Sequence, residues 1–282
     1  MNLQSLYFQT HLTNLGYSKS TLRMLPACIN AFLSFTQKKI HDINPEDIQS
    51  FHNHLQERPN KKRFGGLSDS YIQHHIYAMR LFFQWKIDSG ELNSNPISGL
   101  HFPSPQQSKK EILTQQEVKQ LYNYCHSLQE RALLSVFYGC GLRRSEGEAL
   151  DLRDLHFVKQ MLYVRSGKNG RWRAVPMSDK VTEDLERYSL YSRIPKGTNA
   201  FFCNSRGQRM SGVSMNRMLH KILDRAGIRK KISLHHLRHS IASHLLENGL
   251  SAEYVRNFLG HKHLDTTQIY TQISQQQLDT WN

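Results

Sequence analysis
The stretch His235-His236-Leu237-Arg238, followed by Leu259-Gly260-His261 and, nine residues past that histidine, by Tyr270, decides how this chain is read. A histidine, an arginine, a second histidine and a tyrosine at these spacings supply most of what is needed to cut and rejoin a phosphodiester without metal. His235 and Arg238 stand three apart, so on a helical turn they project from one face. Leu264-Asp265-Thr266-Thr267-Gln268-Ile269-Tyr270 reads as a helix start, because Asp265 and the two threonines can cap open backbone N–H groups. The Tyr270 phenol then sits one turn inside that helix.

Upstream, Gly141-Leu142-Arg143-Arg144-Ser145-Glu146 adds a second arginine, and Gly167-Lys168-Asn169-Gly170-Arg171-Trp172-Arg173-Ala174-Val175-Pro176 adds a lysine in a turn. In this order the four segments resemble the tyrosine recombinase (phage integrase) family, and specifically its small Xer-like members. The resemblance covers nearly all of residues 111–275, whereas the N-terminal third resembles the family only in pattern and size. One such segment alone is a weak signal; four in register are a strong one.

Breaking a phosphodiester without metal requires a nucleophile, cationic donors for the non-bridging oxygens, and an acid for the departing 5′ oxygen. By resemblance Tyr270 is the nucleophile, leaving a 3′-phosphotyrosyl bond and a free 5′ hydroxyl. Core packing is the ordinary role for any one of 12 tyrosines. The Thr-Thr-x-x-Tyr setting behind Leu-Gly-His separates Tyr270 from the rest. The resemblance makes Arg143 and Arg238 the clamp on the phosphate, a task suited to planar guanidinium donors. Arg143 is preferred to Arg144 because it directly follows Gly141-Leu142; surface ion pairing is the alternative role for both.

Glu146, three residues beyond Arg143, can reach its guanidinium and is assigned an orienting role. Lys168 is the general acid that the resemblance implies, although turn lysines are commonly just solvated. Asn169-Gly170 stands where many relatives have glycine before asparagine, while the following arginine and Val175-Pro176 keep their offsets. His235 would accept or relay the tyrosine proton, and His261 would donate to a phosphoryl oxygen. Neighbouring His220, His236, His239, His244 and His263 raise the possibility of metal binding. That reading is disfavoured, because His235, His239 and His244 lack an accompanying ligand set; no metal and no cofactor are expected.

Composition agrees with a polyanionic partner. In 282 residues, 37 Lys and Arg against 23 Asp and Glu give a formal net charge of +14. Neutralising phosphates releases counterions, so binding to DNA should depend steeply on salt. Charge alone would equally describe a merely soluble basic protein; the motifs turn it into a claim about DNA. Cys28, Cys125, Cys140 and Cys203 show no zinc or disulfide spacing and read as thiols in a reducing compartment. No signal peptide and no membrane span are seen, so a cytoplasmic protein is expected.

Residues 1–102 read as an N-terminal four-helix, SAM-like core-binding domain. Apolar spacing at Leu3, Leu6, Tyr7, Phe8 and Leu12 predicts a first helix ending near Gly16. Ser18 caps a second, in which Pro26 argues for a kink or a late start. Asn44-Pro45-Glu46-Asp47 opens a third with a cap, a proline at its first position and acids in its first turn. Ser68 caps a fourth whose aromatics, Tyr77, Phe82, Phe83 and Trp85, read as core rather than as base-stacking groups. Residues 103–110 form a proline-rich basic linker that would run along a DNA backbone or act as a bare spacer.

Residues 111–282 read as a mixed, mainly α catalytic domain with a small β-hairpin. It opens on the capping box Thr114-Gln115-Gln116-Glu117. Met161 to Arg165 and Arg171 to Pro176 are the hairpin strands, joined through Asn169-Gly170. Helical pattern resumes at Ser178.

The expectation is a site-specific DNA recombinase that closes as a C-shaped clamp around double-stranded DNA carrying paired, inverted-repeat-like sites. The resemblance further implies a homo-tetramer on DNA, a monomer or weak dimer when free, and passage through a Holliday junction. Its C-terminal tail, Ile273 to Asn282, would dock on a neighbouring protomer. Alternatives are a type IB topoisomerase-like relaxation activity and a catalytically silent DNA-binding regulator of the same fold. The DNA sequence recognised and the outcome among integration, excision, inversion and resolution are not legible.

Overall fold
The computed structural model describes residues 2–60, 64–103, 111–165 and 173–260. The chain divides into two units, Met1–Ser108 and Lys109–Asn282. The first holds α1 (Leu3–Asn14), α2 (Lys19–Thr36), α3 (Pro45–Glu57) and α4 (Asp69–Asp88). Ser18, Asn44 and Ser68 cap α2, α3 and α4 through their side chains, and Asn44 completes a reciprocal capping box with Asp47. Each helix therefore begins where a short polar side chain satisfies the open N–H groups.

Pro26 does not delay α2. The helix starts at Lys19 and runs through Pro26, which is buried in the core, so the cost of one missing ladder bond is outweighed by the packed face. Phe8, Phe32, Phe51, Phe82 and Phe83 are at most 1% exposed and meet largely edge-to-face. Burying a phenylalanine stabilises by roughly 1.5–3 kcal/mol, so these rings dominate this small core. One expectation is corrected here: Tyr77, read as core, is 48% exposed, off the face that carries Ile76 and Met79. On α1, the helix that the apolar spacing predicts, Phe8 and Leu12 are buried while Leu3, Leu6 and Tyr7 face outward.

The second unit begins with α5 (Gln115–Asn123), introduced by the Thr114–Glu117 capping box, and α6 (Leu128–Leu134). From α6 the backbone widens into a π-type turn, Ser135–Gly139, before α7 (Arg144–Ala149). A three-stranded antiparallel sheet follows, with β1 (Leu155–His156), β2 (Met161–Val164) and β3 (Arg173–Pro176) in the order β1-β2-β3. Its register pairs Leu162 with Val175 and Val164 with Arg173. Leu162, Val164 and Val175 face the core, as the two-residue period demands. The hairpin is that expected from Met161 onward; β1, only two residues long, is too short to give a periodic signal. Ser166 to Trp172, including Lys168, lie outside the described residues.

The helices α8 (Asp179–Tyr191), α9 (Gly212–Arg225), α10 (Leu234–Glu247) and α11 (Ala252–Phe258) complete the unit. Its core gathers Leu133, Phe137, Leu185, Phe201, Leu219, Leu237 and Ile241. Polar contacts fix α10 within it: the Leu113 N–H donates to Ser240 Oγ at 2.9 Å, and His244 bonds the Leu113 carbonyl and the Tyr138 hydroxyl, each at 2.9 Å. His244 is thus occupied on both ring nitrogens by the fold. Among the described residues no helix is long and apolar enough to cross a membrane, and no cluster of three or more His, Cys, Asp and Glu is placed to hold a metal ion.

Candidate active site
Arg143 stands at the N-cap of α7, in extended conformation, two residues after Gly141, whose φ of +59° suits glycine. A Cβ on Gly141 would lie 2.8 Å from Leu259 Cδ2, so the turn before Arg143 packs closely on the turn after α11. The Arg143 backbone N–H donates to Glu146 Oε2 at 2.8 Å and its Nη1 donates to Oε1 at 2.7 Å. Capping and orientation are thus the same contact: the carboxylate that closes the helix start also holds the guanidinium. Arg144 is exposed and makes no such pair among the described residues, which separates the two adjacent arginines.

Glu146 is almost wholly buried and carries a second arginine that sequence reasoning did not single out. Arg173, at the start of β3, donates Nη1 to Oε1 at 2.8 Å and Nη2 to Oε2 at 2.7 Å, a two-point pair. Burial by itself would raise the Glu146 carboxyl, but the hydrogen bonds and charges of Arg173 and Arg143 prevail and hold it down at about 2. The signal for Arg173 was its fixed offset behind Lys168 in the hairpin; nothing in that offset reveals which acid it meets.

Arg238, on the first turns of α10, is 4% exposed. Its Nη1 donates to the Gly141 carbonyl and its Nη2 to the Leu259 carbonyl, each at 2.5 Å, while Nη1 lies 3.9 Å from Glu146 Oε2. Burial, with the positive charges of Arg143 and Arg173 close by, lowers the Arg238 guanidinium to about 9, so it remains charged at neutral pH. Three guanidiniums around one carboxylate leave surplus positive charge, a setting for a tetrahedral oxyanion such as phosphate.

The same helix start sorts the histidines. His236 Nδ1 accepts from the Ser233 backbone N–H at 3.0 Å and so belongs to the cap of α10. His235 is exposed, and its Nε2 lies 3.0 Å from His239 Nε2, one turn on. A hydrogen bond between two such nitrogens needs one of them unprotonated, the state in which an imidazole can take up a proton. His235 and Arg238 share the first turns of α10 but differ in exposure: the arginine is turned into the protein and the histidine outward. Gly260 closes the described part of this region with a φ of +78°, and a Cβ there would lie 2.6 Å from Arg173 Cδ. His261 and Tyr270, like Lys168, lie outside the described residues.

Comparison with known proteins gives matches along most of the chain. Residues 111–277 match the model of the phage integrase family, and residues 6–90 match that of a phage integrase N-terminal SAM-like domain. A tyrosine recombinase XerD of Oceanobacillus iheyensis is 34% identical over 282 residues, covering 93% of this chain and 91% of the relative. The crystal structure of the XerA recombinase is 28% identical, with a TM-score of 0.52 and coverage of 98% of this chain and 95% of that one. A lambda integrase tetramer bound to a Holliday junction is 18% identical, with a TM-score of 0.72, covering 93% of this chain and 78% of that one. At that identity the likeness is one of fold.

Proposed function
The chain belongs to the phage integrase family of tyrosine recombinases, and on that premise we propose that it cleaves and rejoins double-stranded DNA at specific sites through a 3′-phosphotyrosyl intermediate. The observation that carries the proposal is the buried Glu146 with Arg143 and Arg173 paired to it and Arg238 beside it. Such a cluster is formed before substrate arrives, so little reorganisation is needed when charge builds on the phosphorane.

In this reading Arg143 and Arg238 neutralise the two non-bridging oxygens, with Glu146 orienting Arg143. Tyr270 attacks phosphorus and passes its proton toward His235, whose Nε2 pairs with His239 Nε2. Lys168 protonates the 5′ oxygen as it leaves, and His261 donates to a phosphoryl oxygen. The phosphotyrosyl ester keeps the energy of the broken bond, so religation by a 5′ hydroxyl needs no nucleotide cofactor.

The lambda integrase tetramer on a Holliday junction supports extending the proposal to paired, inverted-repeat-like sites, a homo-tetramer on DNA and exchange of one strand pair at a time. Action on DNA also supports a cytoplasmic location. Residues 1–102 and 111–282 are proposed as the DNA-binding and catalytic domains.

A duplex nicked close to the cleavage point tests the chemistry, because the released fragment diffuses away and the covalent adduct accumulates. Wild type should give a protease-sensitive adduct mapping to Tyr270, and Tyr270→Phe should bind the same DNA without forming it. An adduct that persists in Tyr270→Phe would place the nucleophile elsewhere. Absence of adduct in wild type would favour a catalytically silent regulator, and relaxation of supercoiled DNA by a monomer with no paired site would favour a topoisomerase.

A further inference from the structure
A carboxylate offers about four acceptor positions on its two oxygens, and four donors meet Glu146. Oε1 receives Nη1 of Arg143 and Nη1 of Arg173; Oε2 receives the Arg143 backbone N–H and Nη2 of Arg173. Half of the capacity is therefore taken by Arg173. Arg238 Nη1, 3.9 Å away, is outside hydrogen-bond range and bonds the Gly141 carbonyl instead.

Without Arg173 the buried carboxylate would have two open acceptor positions and two guanidiniums within reach. Arg143, held through a single side-chain nitrogen, could turn to a two-point pair. Arg238 would need to move only about 1 Å to come within bonding distance. Each donor drawn onto Glu146 is one withdrawn from a bound phosphate.

We propose that Arg173 is a positioning residue of the recombination reaction: by occupying both Glu146 oxygens it limits the hold of Glu146 on Arg143 and keeps Arg238 off the carboxylate, leaving both arginines to the scissile phosphate. The proposal rests on the function proposed above. Two further features agree with it. The Arg173 side chain is 12% exposed, so its pairing is shielded from competing water. Its stem also passes beneath Gly260, so one side chain joins β3, α7 and the turn that leads to His261.

The test is single-turnover adduct formation on nicked DNA across pH 4.5–9, for wild type, Arg173→Met, Arg173→Lys, Glu146→Gln and the double variant Arg173→Met/Glu146→Gln. Arg173→Met should slow cleavage roughly 10- to 100-fold, less than the roughly 100- to 1,000-fold that follows loss of an oxyanion donor itself. Its acid limb should move toward neutrality, because Glu146 loses two of the donors that hold it ionised. The groups facing Glu146 are Arg143 from the start of α7, Arg173 from β3 and Arg238 from α10. Cys140, near Arg173, is pushed up to about 12 by burial and does not titrate in this range.

Arg173→Lys, whose ammonium cannot make the two-point pair, should fall between. In the Glu146→Gln background the same Arg173→Met change should cost less than about threefold, since the interaction through which it acts is gone. Equal slowing in both backgrounds, or an unmoved acid limb in a variant whose thermal melt matches wild type, would overturn the proposal. If Arg173→Met does not fold, the acid limb of Arg173→Lys decides in the same way. A wild type that forms no adduct would sink the parent reading and this one together, whereas an active wild type with an indifferent Arg173→Met sinks this one alone.

Discussion
Arg238 bonds the carbonyl of Leu259 through Nη2, so the arginine of the His-x-x-Arg stretch holds the backbone of the Leu-Gly-His stretch 21 residues later. With Nη1 on the Gly141 carbonyl, it also ties in the turn before Arg143. Three sequence motifs are joined through one planar fork, a geometry that a lysine ammonium cannot reproduce.

Arg238→Lys should therefore lose both structure and rate. Leaving buried carbonyls underpaired costs about 1–3 kcal/mol, and loss of a phosphate donor slows chemistry roughly 100- to 1,000-fold. Urea melts and adduct kinetics read the two separately. A lysine variant with wild-type stability and rate would show that neither carbonyl contact matters.

Gly260→Ala places a methyl group 2.6 Å from Arg173 Cδ at a φ of +78°. The backbone conformation alone disfavours alanine, and the Arg173 stem is anchored at its far end by Glu146 and cannot easily yield. A loss of about 1–3 kcal/mol is expected. Pairing the change with Arg173→Ala, which removes the obstruction, should recover part of it; simple additivity would show that the clash is not the cause.

His75 makes the stability of the N-terminal unit depend on pH. It is 1% exposed, lies edge-on to Phe51 and Tyr71, and is lowered from 6.5 to about 4, chiefly by burial and further by the charge of Arg58. The folded state binds this proton less readily than the unfolded one. The contribution is therefore fully present above pH 6.5 and is lost as pH falls toward 4, by about 3 kcal/mol in all. Chemical denaturation at pH 7.5 and pH 4.5 should show a smaller difference for His75→Phe than for wild type, and equal differences would refute the assignment.

Lys168→Ala should slow cleavage, and a 5′-bridging phosphorothiolate should restore it, because a leaving thiolate needs no acid. Failure of the sulfur substrate to rescue the variant would remove Lys168 from the role of proton donor.

The chain itself dictated the helix starts of the N-terminal unit and the hairpin from Met161, because caps such as Ser18, Asn44 and Ser68 and the two-residue strand period act over a few residues. It also offered Arg143, Glu146, His235 and Arg238 as candidates, since their motifs are local. What it left open was anything requiring distant segments to meet. Tyr77 faces outward although its neighbours are core, His236 serves a cap while His235 is exposed, and Arg173 holds Glu146 from 27 residues away. These depend on which side chains share a buried space. Periodicity tells a residue which side of its own helix or strand it occupies, but only the packed fold decides what stands opposite.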